Sequence, residues 1–89
     1  MATVHFTTNL RRHVDCPSVQ APGGNLREVL THVFASQQRL GFYVLDEQGS
    51  LRKHMMVLID GARIRDREGL SDPVKADSEI HVMQALSGG

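Results

Sequence analysis

Residues 25–34, NLREVLTHVF, carry the clearest structural signal in the sequence. Asn25 followed by Glu28 is typical of a helix start, because both side chains can accept hydrogen bonds from the free N–H groups of the first turn. The apolar residues that follow recur at the i, i+3, i+4, i+7, i+8 spacing of a helix with one buried face: Leu26, Val29, Leu30, Val33 and Phe34. We expect this helix to stop at Gly41, a residue suited to helix ends.

Strand patterns stand before the helix. In residues 2–8 the side chains alternate, so that Val4 and Phe6 point to a core. Residues 14–21 are weakly strand-like and contain Pro17, which cannot donate to a β-ladder and belongs on a sheet edge. We therefore predict a central strand and an edge strand in this part of the chain.

The strongest strand follows the helix. Residues 54–60 place Met55, Val57 and Ile59 on one face, and residues 60–61 form an Asp-Gly turn into a short returning strand at residues 62–64. Residues 65–78 read as a polar loop anchored by Leu70 and Val74. The last strand is predicted at residues 79–85.

One amphipathic helix can cover only one face of a sheet. The order of elements therefore predicts an α+β fold of the β-grasp (ubiquitin-like) type, with a mixed four- to five-stranded sheet and one main helix across one face. The first and last strands are expected side by side and parallel at the centre. We place a single β-grasp domain at residues 1–85 and a flexible C-terminal tail ending in Gly-Gly at residues 86–89.

The length of the chain and its balance of charges argue against several classes of function. The chain has 89 residues, enough for one core but not for a deep catalytic cavity. Ten basic and ten acidic side chains balance without a basic block, which argues against nucleic-acid or membrane-surface binding. The single cysteine, Cys16, and a start without a secretory signal indicate a cytoplasmic protein.

The residue types suggest two kinds of site within the domain. The five histidines show no metal-binding spacing; His5, His54 and His81 could share the open sheet face, but solvated histidines are the preferred interpretation, so no metal site is predicted. On that same face we expect an apolar patch that docks a partner protein, since methionines adapt to several surfaces. Its residues are Met56, Leu58 and Met83.

The pattern resembles the ubiquitin-like sulfur carriers of the MoaD/ThiS type, typified by the small subunit of molybdopterin synthase and the thiamine-pathway sulfur carrier. The resemblance spans nearly the whole chain and is most specific at residues 77–89, DSEIHVMQALSGG, which match the family's acidic turn, last strand and terminal Gly-Gly. Residues 25–30 are similar to its helix start, and residues 51–61 to its molybdopterin-type and cysteine-biosynthetic members. The family often has proline where Gln84 or Ala85 stands, so the branch stays open.

This resemblance implies a carrier protein and no catalytic residues of its own. An adenylyltransferase of the ubiquitin-activating type would use ATP to adenylate the Gly89 carboxylate, and a sulfurtransferase or persulfide donor would convert it to a thiocarboxylate. A downstream synthase would then take the sulfur for molybdopterin, thiamine, cysteine or another metabolite. The carrier itself is expected to bind no cofactor. The tail that would enter partner active sites comprises Leu86, Ser87, Gly88 and Gly89. The last three are small enough to pass through a narrow channel, whereas Leu86 would either anchor the tail just outside it or pack over the sheet edge.

The sequence leaves two other functions open. A ubiquitin-like protein modifier would use the same activated Gly89 carboxylate to form an isopeptide bond with a lysine. A non-catalytic β-grasp interaction domain would have an inert tail and would show no ATP-dependent change.

Overall fold

The computed structural model describes residues 1–6 and 18–84, which form five strands and two helices. The strands before the first helix are β1 (Ala2–Phe6) and β2 (Ser18–Ala21). The helices are α1 (Leu26–Ala35) and α2 (Gln38–Val44). The remaining strands are β3 (Met55–Ile59), β4 (Ala62–Arg63) and β5 (Glu79–Gln84). The predicted strand residues 7, 8, 14–17 and 85 lie outside the described residues.

The five strands form one mixed sheet in the order β2-β1-β5-β3-β4. β1 and β5 are parallel neighbours at its centre, with Val4 beside Ile80, whereas the other three pairings are antiparallel. The predicted α+β class and the central parallel pair are therefore confirmed. β2 lies at the sheet edge, as the proline before it predicted.

The predicted capping residues are both used at the start of α1. The Asn25 side chain accepts a hydrogen bond of 2.9 Å from the backbone N–H of Glu28. The Glu28 carboxylate in turn accepts a 2.7 Å bond from the N–H of Gly24, one residue before the expected donor. Two backbone donors at the helix start are thus satisfied by one pair of side chains.

The predicted end of the helix at Gly41 is wrong. α1 stops at Ala35, and Gly41 lies inside α2, which also contains the apolar residues 42–44. A Cβ at position 41 would lie 3.0 Å from the Cβ of Phe34, so glycine lets α2 pass close to α1. The spacing of Leu40 and Val44, both fully buried, is the helical signal that sequence reasoning missed.

The core lies between the helices and one face of the sheet. Val4, Phe6, Ile80 and Val82 from the central strands are at most 2% exposed. They pack with the predicted apolar stripe of α1, of which Phe34 is only partly buried. Leu70 and Val74 are buried, as predicted for the anchors of the loop after β4.

The β3–β4 connection is a two-residue turn. Asp60 and Gly61 have φ angles of 50° and 86°, and this left-handed backbone is the reason for the Asp-Gly pair. The Asp60 carboxylate accepts a 2.9 Å bond from the backbone N–H of Glu79 and another of 2.9 Å from the Ser78 hydroxyl. These two hydrogen bonds therefore hold the β3–β4 turn against the start of β5.

Candidate functional site

The face of the sheet opposite the helices carries the predicted docking residues. Met56 in β3 pairs with Met83 in β5, and Leu58 pairs with His81 on one side and Arg63 on the other. Because side chains alternate along a strand, these residues all point away from the core. Met56, Leu58 and Met83 are each half-buried, so neighbouring side chains limit the apolar surface that they offer.

Two histidines adjoin this patch. The rings of His5 and His81 stack with centroids 4.7 Å apart, because their positions are paired across the parallel β1–β5 ladder. His5 Nε2 also lies 3.3 Å from a carboxylate oxygen of Glu79. This end of the open face is therefore polar, whereas its middle is apolar.

The third histidine considered for this face lies elsewhere. His54 packs edge-on against the ring of Tyr43 in α2, with centroids 5.4 Å apart. In the described part of the chain no cluster of three or more His, Cys, Asp or Glu side chains could hold a metal ion. Of the three histidines, the structure brings together only His5 and His81.

The C-terminal end of β5 is hydrogen-bonded to α2. Gln84, the last described residue, donates a side-chain hydrogen bond to the Tyr43 hydroxyl. Gln84 also pairs with Met55 at the first position of β3. The predicted tail residues Leu86, Ser87, Gly88 and Gly89 lie outside the described residues, and their predicted role stays a prediction.

The sequence analysis did not predict a second surface, which lies beside α2. Phe42 in α2 is 73% exposed and borders a cleft of about 410 Å³ between α1, α2 and the turn after α2. Phe34, Leu45, Asp46 and Glu47 also line this cleft. The exposure of Phe42 follows from the sequence once residues 38–44 are recognised as a helix. Leu40 and Val44 then point inward, and Phe42, between them, must point outward.

No membrane-crossing helix is present in residues 1–6 and 18–84, since neither α1 nor α2 is long and apolar enough.

The sheet order, the parallel central strands and the helix packed across one face define a ubiquitin-like β-grasp protein. Sequence and structure comparisons support this class. Residues 4–89 match the ThiS family. The chain belongs to the ThiS family, so the predicted relationship to the ubiquitin-like sulfur carriers is confirmed.

Solved structures of other proteins have the same fold. A chain of the Amycolatopsis orientalis BexX/CysO complex is 26% identical with a TM-score of 0.86, and the alignment covers 100% of both chains. Small archaeal modifier protein 1 from Methanosarcina acetivorans is 26% identical with a TM-score of 0.83, covering 99% of this chain and 95% of the other. Mycobacterium tuberculosis CysO shares the fold at 22% identity, with a TM-score of 0.84 and coverage of 97% and 100%. The search of curated proteins gave no match.

Proposed function

We propose that this protein is a sulfur carrier whose Gly89 carboxylate is adenylated and then converted to a thiocarboxylate. The observation that carries the proposal is the ThiS match, which extends over residues 4–89 and so includes Gly88 and Gly89. The similarity to a chain of the BexX/CysO complex supports action together with a partner protein. In this account the partners supply the catalytic groups and the carrier supplies the reacting carboxylate.

Activation is needed because a terminal carboxylate is ionised at neutral pH and is a poor acyl donor. An oxygen of the Gly89 carboxylate attacks the α-phosphorus of ATP, and pyrophosphate leaves with the electrons of the broken P–O bond. The product is an acyl-adenylate. This step requires an adenylyltransferase of the ubiquitin-activating type.

Sulfur then replaces AMP. Hydrosulfide attacks the acyl carbon, the bond to the AMP oxygen breaks, and the thiocarboxylate and AMP separate. With a persulfide donor, the terminal sulfur attacks in the same way and gives an acyl disulfide. A thiol must then reduce this acyl disulfide to release the thiocarboxylate. A downstream synthase of the molybdopterin, thiamine or cysteine type would consume the sulfur.

The open sheet face would hold the carrier on these partners. Met56, Leu58 and Met83 are contiguous in the register and point away from the core. Burial of half-exposed methionines supplies affinity, and their flexible side chains suit more than one partner. The narrow glycines at positions 88 and 89 would pass into the partner's active site where a larger side chain would be blocked.

Protein modification is the second candidate, favoured by the similarity to small archaeal modifier protein 1. It shares the adenylation step but ends in an isopeptide bond between Gly89 and a lysine of another protein. A β-grasp interaction domain without an activated tail remains the third candidate.

ATP–pyrophosphate exchange with a ThiS-type adenylyltransferase tests the shared activation step. We expect exchange with the wild-type chain and none with Gly89→Val, in which the branched side chain blocks the channel. Ala76→Val, which adds a branched side chain at an exposed position outside the tail, is the matched control. An adenylyltransferase active on its own carrier but inactive on this chain would contradict the proposal, whereas lysine conjugates in place of free thiocarboxylate would favour the modifier.

A further inference from the structure

A cationic cleft lies at the sheet edge where β4 ends early. β4 pairs only with Leu58 and Ile59, so the first half of β3, which pairs with β5 on its other side, has no described strand on its β4 side. A cleft of about 380 Å³ opens there, between β3 and the chain after β4. Lys53, Arg63 and Arg67 line it, and none of the described residues that line it is acidic.

None of these three cations has an acidic partner among the described residues. Within residues 1–6 and 18–84, the only side-chain ion pair is that between His5 and Glu79. Lys53 and Arg63 are exposed. In a chain with equal numbers of acidic and basic side chains, three unpaired cations in one cleft form a distinct positive site.

One of the cations is fixed in place. Arg67 Nη2 donates hydrogen bonds of 2.8 Å to the Arg52 carbonyl and 2.9 Å to the Met55 carbonyl. The guanidinium therefore occupies the unpaired edge of β3, which opposes addition of a partner strand. Its remaining N–H groups stay available, and a preorganised guanidinium suits a carboxylate.

Apolar side chains also line the cleft. Met56 and Ile64 line it and are each half-buried. Met56 also belongs to the open sheet face, because it pairs with Met83. The cleft is thus continuous with the predicted docking face and combines three cations with an apolar surface.

We propose that this cleft binds an acidic segment of a partner protein, with carboxylates on Lys53, Arg63 and Arg67 and an apolar side chain on Met56. Charge complementarity specifies the carboxylates, and the apolar side chains of Met56 and Ile64 in the cleft lining favour a peptide over a free phosphate ion. No aromatic side chain lines the described cleft for base stacking, so single-stranded nucleic acid fits less well. This inference does not depend on thiocarboxylate chemistry.

The test is an NMR titration of the ¹⁵N-labelled full-length chain with a short peptide of alternating Glu and Leu. We expect saturable shifts centred on Lys53, Met56, Arg63 and Arg67 that weaken as salt is added, because exposed charges are screened. Sodium phosphate at matched ionic strength and a peptide of alternating Lys and Leu should not reproduce them.

Charge reversal provides the matched comparison. Arg63→Glu and, separately, Lys53→Glu should each weaken peptide binding about fivefold or more, since each converts an attraction into a repulsion. Arg39→Glu makes the same change in net charge on the exposed surface of α2 and should weaken binding less than twofold. Absent or evenly scattered shifts, an equal response to phosphate, or an equal effect of Arg39→Glu would overturn the proposal.

Discussion

Met56 of β3 lies directly opposite Met83 of β5 on the sheet face that neither helix covers. Leu58 extends the same apolar row, and Arg63 follows it at the β4 edge. Residues separated widely in the chain are thus brought together by strand register. The arrangement supports docking of a partner on this face.

Met56→Asp should weaken the complex with the activating adenylyltransferase without unfolding the chain. Complete burial of an exposed methionine side chain is worth about 1.5 to 3 kcal/mol. Because Met56 is already half-buried, we expect about half of this value, which corresponds to a rise in the KM for the carrier of roughly three- to tenfold. Gln20→Asp, on the exposed part of β2, is the matched control and should leave KM within twofold. Equal KM values for the two variants, with both folded by circular dichroism, would remove the docking role.

The turn before α1 provides a test of the fold. Gly23 has a φ of 150°, and a Cβ there would lie 2.8 Å from the backbone nitrogen of Val29. Gly61 also has a positive φ, of 86°, but a Cβ would meet nothing within 4 Å. Gly23→Ala combines backbone strain with a clash and should lower the free energy of unfolding by about 2 to 3 kcal/mol, against about 1 kcal/mol for Gly61→Ala. Urea denaturation measures both, and equal losses would contradict the close approach.

Low pH should weaken the hydrogen bonds by which the Asp60 carboxylate holds the β3–β4 turn to the start of β5. The backbone N–H of Glu79 and then the Ser78 hydroxyl lower the pKa of Asp60 from its ordinary value of 3.8. A lowered folded-state pKa contributes stability above the unfolded value, and this contribution is lost as pH falls through the folded value. We therefore expect Asp60→Asn to be less stable than wild type at neutral pH. The difference in stability between the two proteins should shrink progressively below about pH 4.

Asp77→Asn is the matched control for this experiment, because it removes an exposed carboxylate near the same end of the sheet. Thermal unfolding of the three proteins across the acid range measures the difference. A gap between wild type and Asp60→Asn that stays constant with pH would show that the Asp60 charge does not contribute.

An arginine on α1 holds two loops, and its replacement provides a further test. Arg27 Nη2 donates to the carbonyls of Gly49 at 2.8 Å and Glu68 at 3.1 Å, and Nε donates to Gly69 at 3.2 Å. Lysine cannot match three acceptors in this fixed geometry. Arg27→Lys should lower the free energy of unfolding by about 1 to 2 kcal/mol, whereas Arg39→Lys on α2 should change it by less than about 0.5 kcal/mol. Equal effects in urea denaturation would argue against the predicted role of Arg27.

Much of the fold follows from local patterns in the sequence. The stripe from Leu26 to Val33 and the Asn25 cap define α1, and alternation in β1, β3 and β5 defines which residues reach the core. The break after Ala35 could not be predicted from α1 alone, because it depends on how closely Gly41 lets α2 approach Phe34. Short helices of this kind are stabilised by packing more than by propensity.

The site was predictable to a smaller extent. The shared face of Met56, Leu58 and Met83 follows from the two-residue period of a strand. The cationic cleft does not, because Lys53, Arg63 and Arg67 come from a turn, a strand and a loop that meet only in the folded chain. Exposed Phe42 was missed because its helix was missed.

The most direct test of the central claim is the intact mass of the full-length chain after incubation with ATP, sulfide and a ThiS-type adenylyltransferase. The account predicts a sulfur-for-oxygen mass increase that maps to the C-terminal peptide and is absent from a chain lacking Gly89. An unchanged mass, with an adenylyltransferase that converts its own carrier in the same mixture and binds this chain, would contradict it.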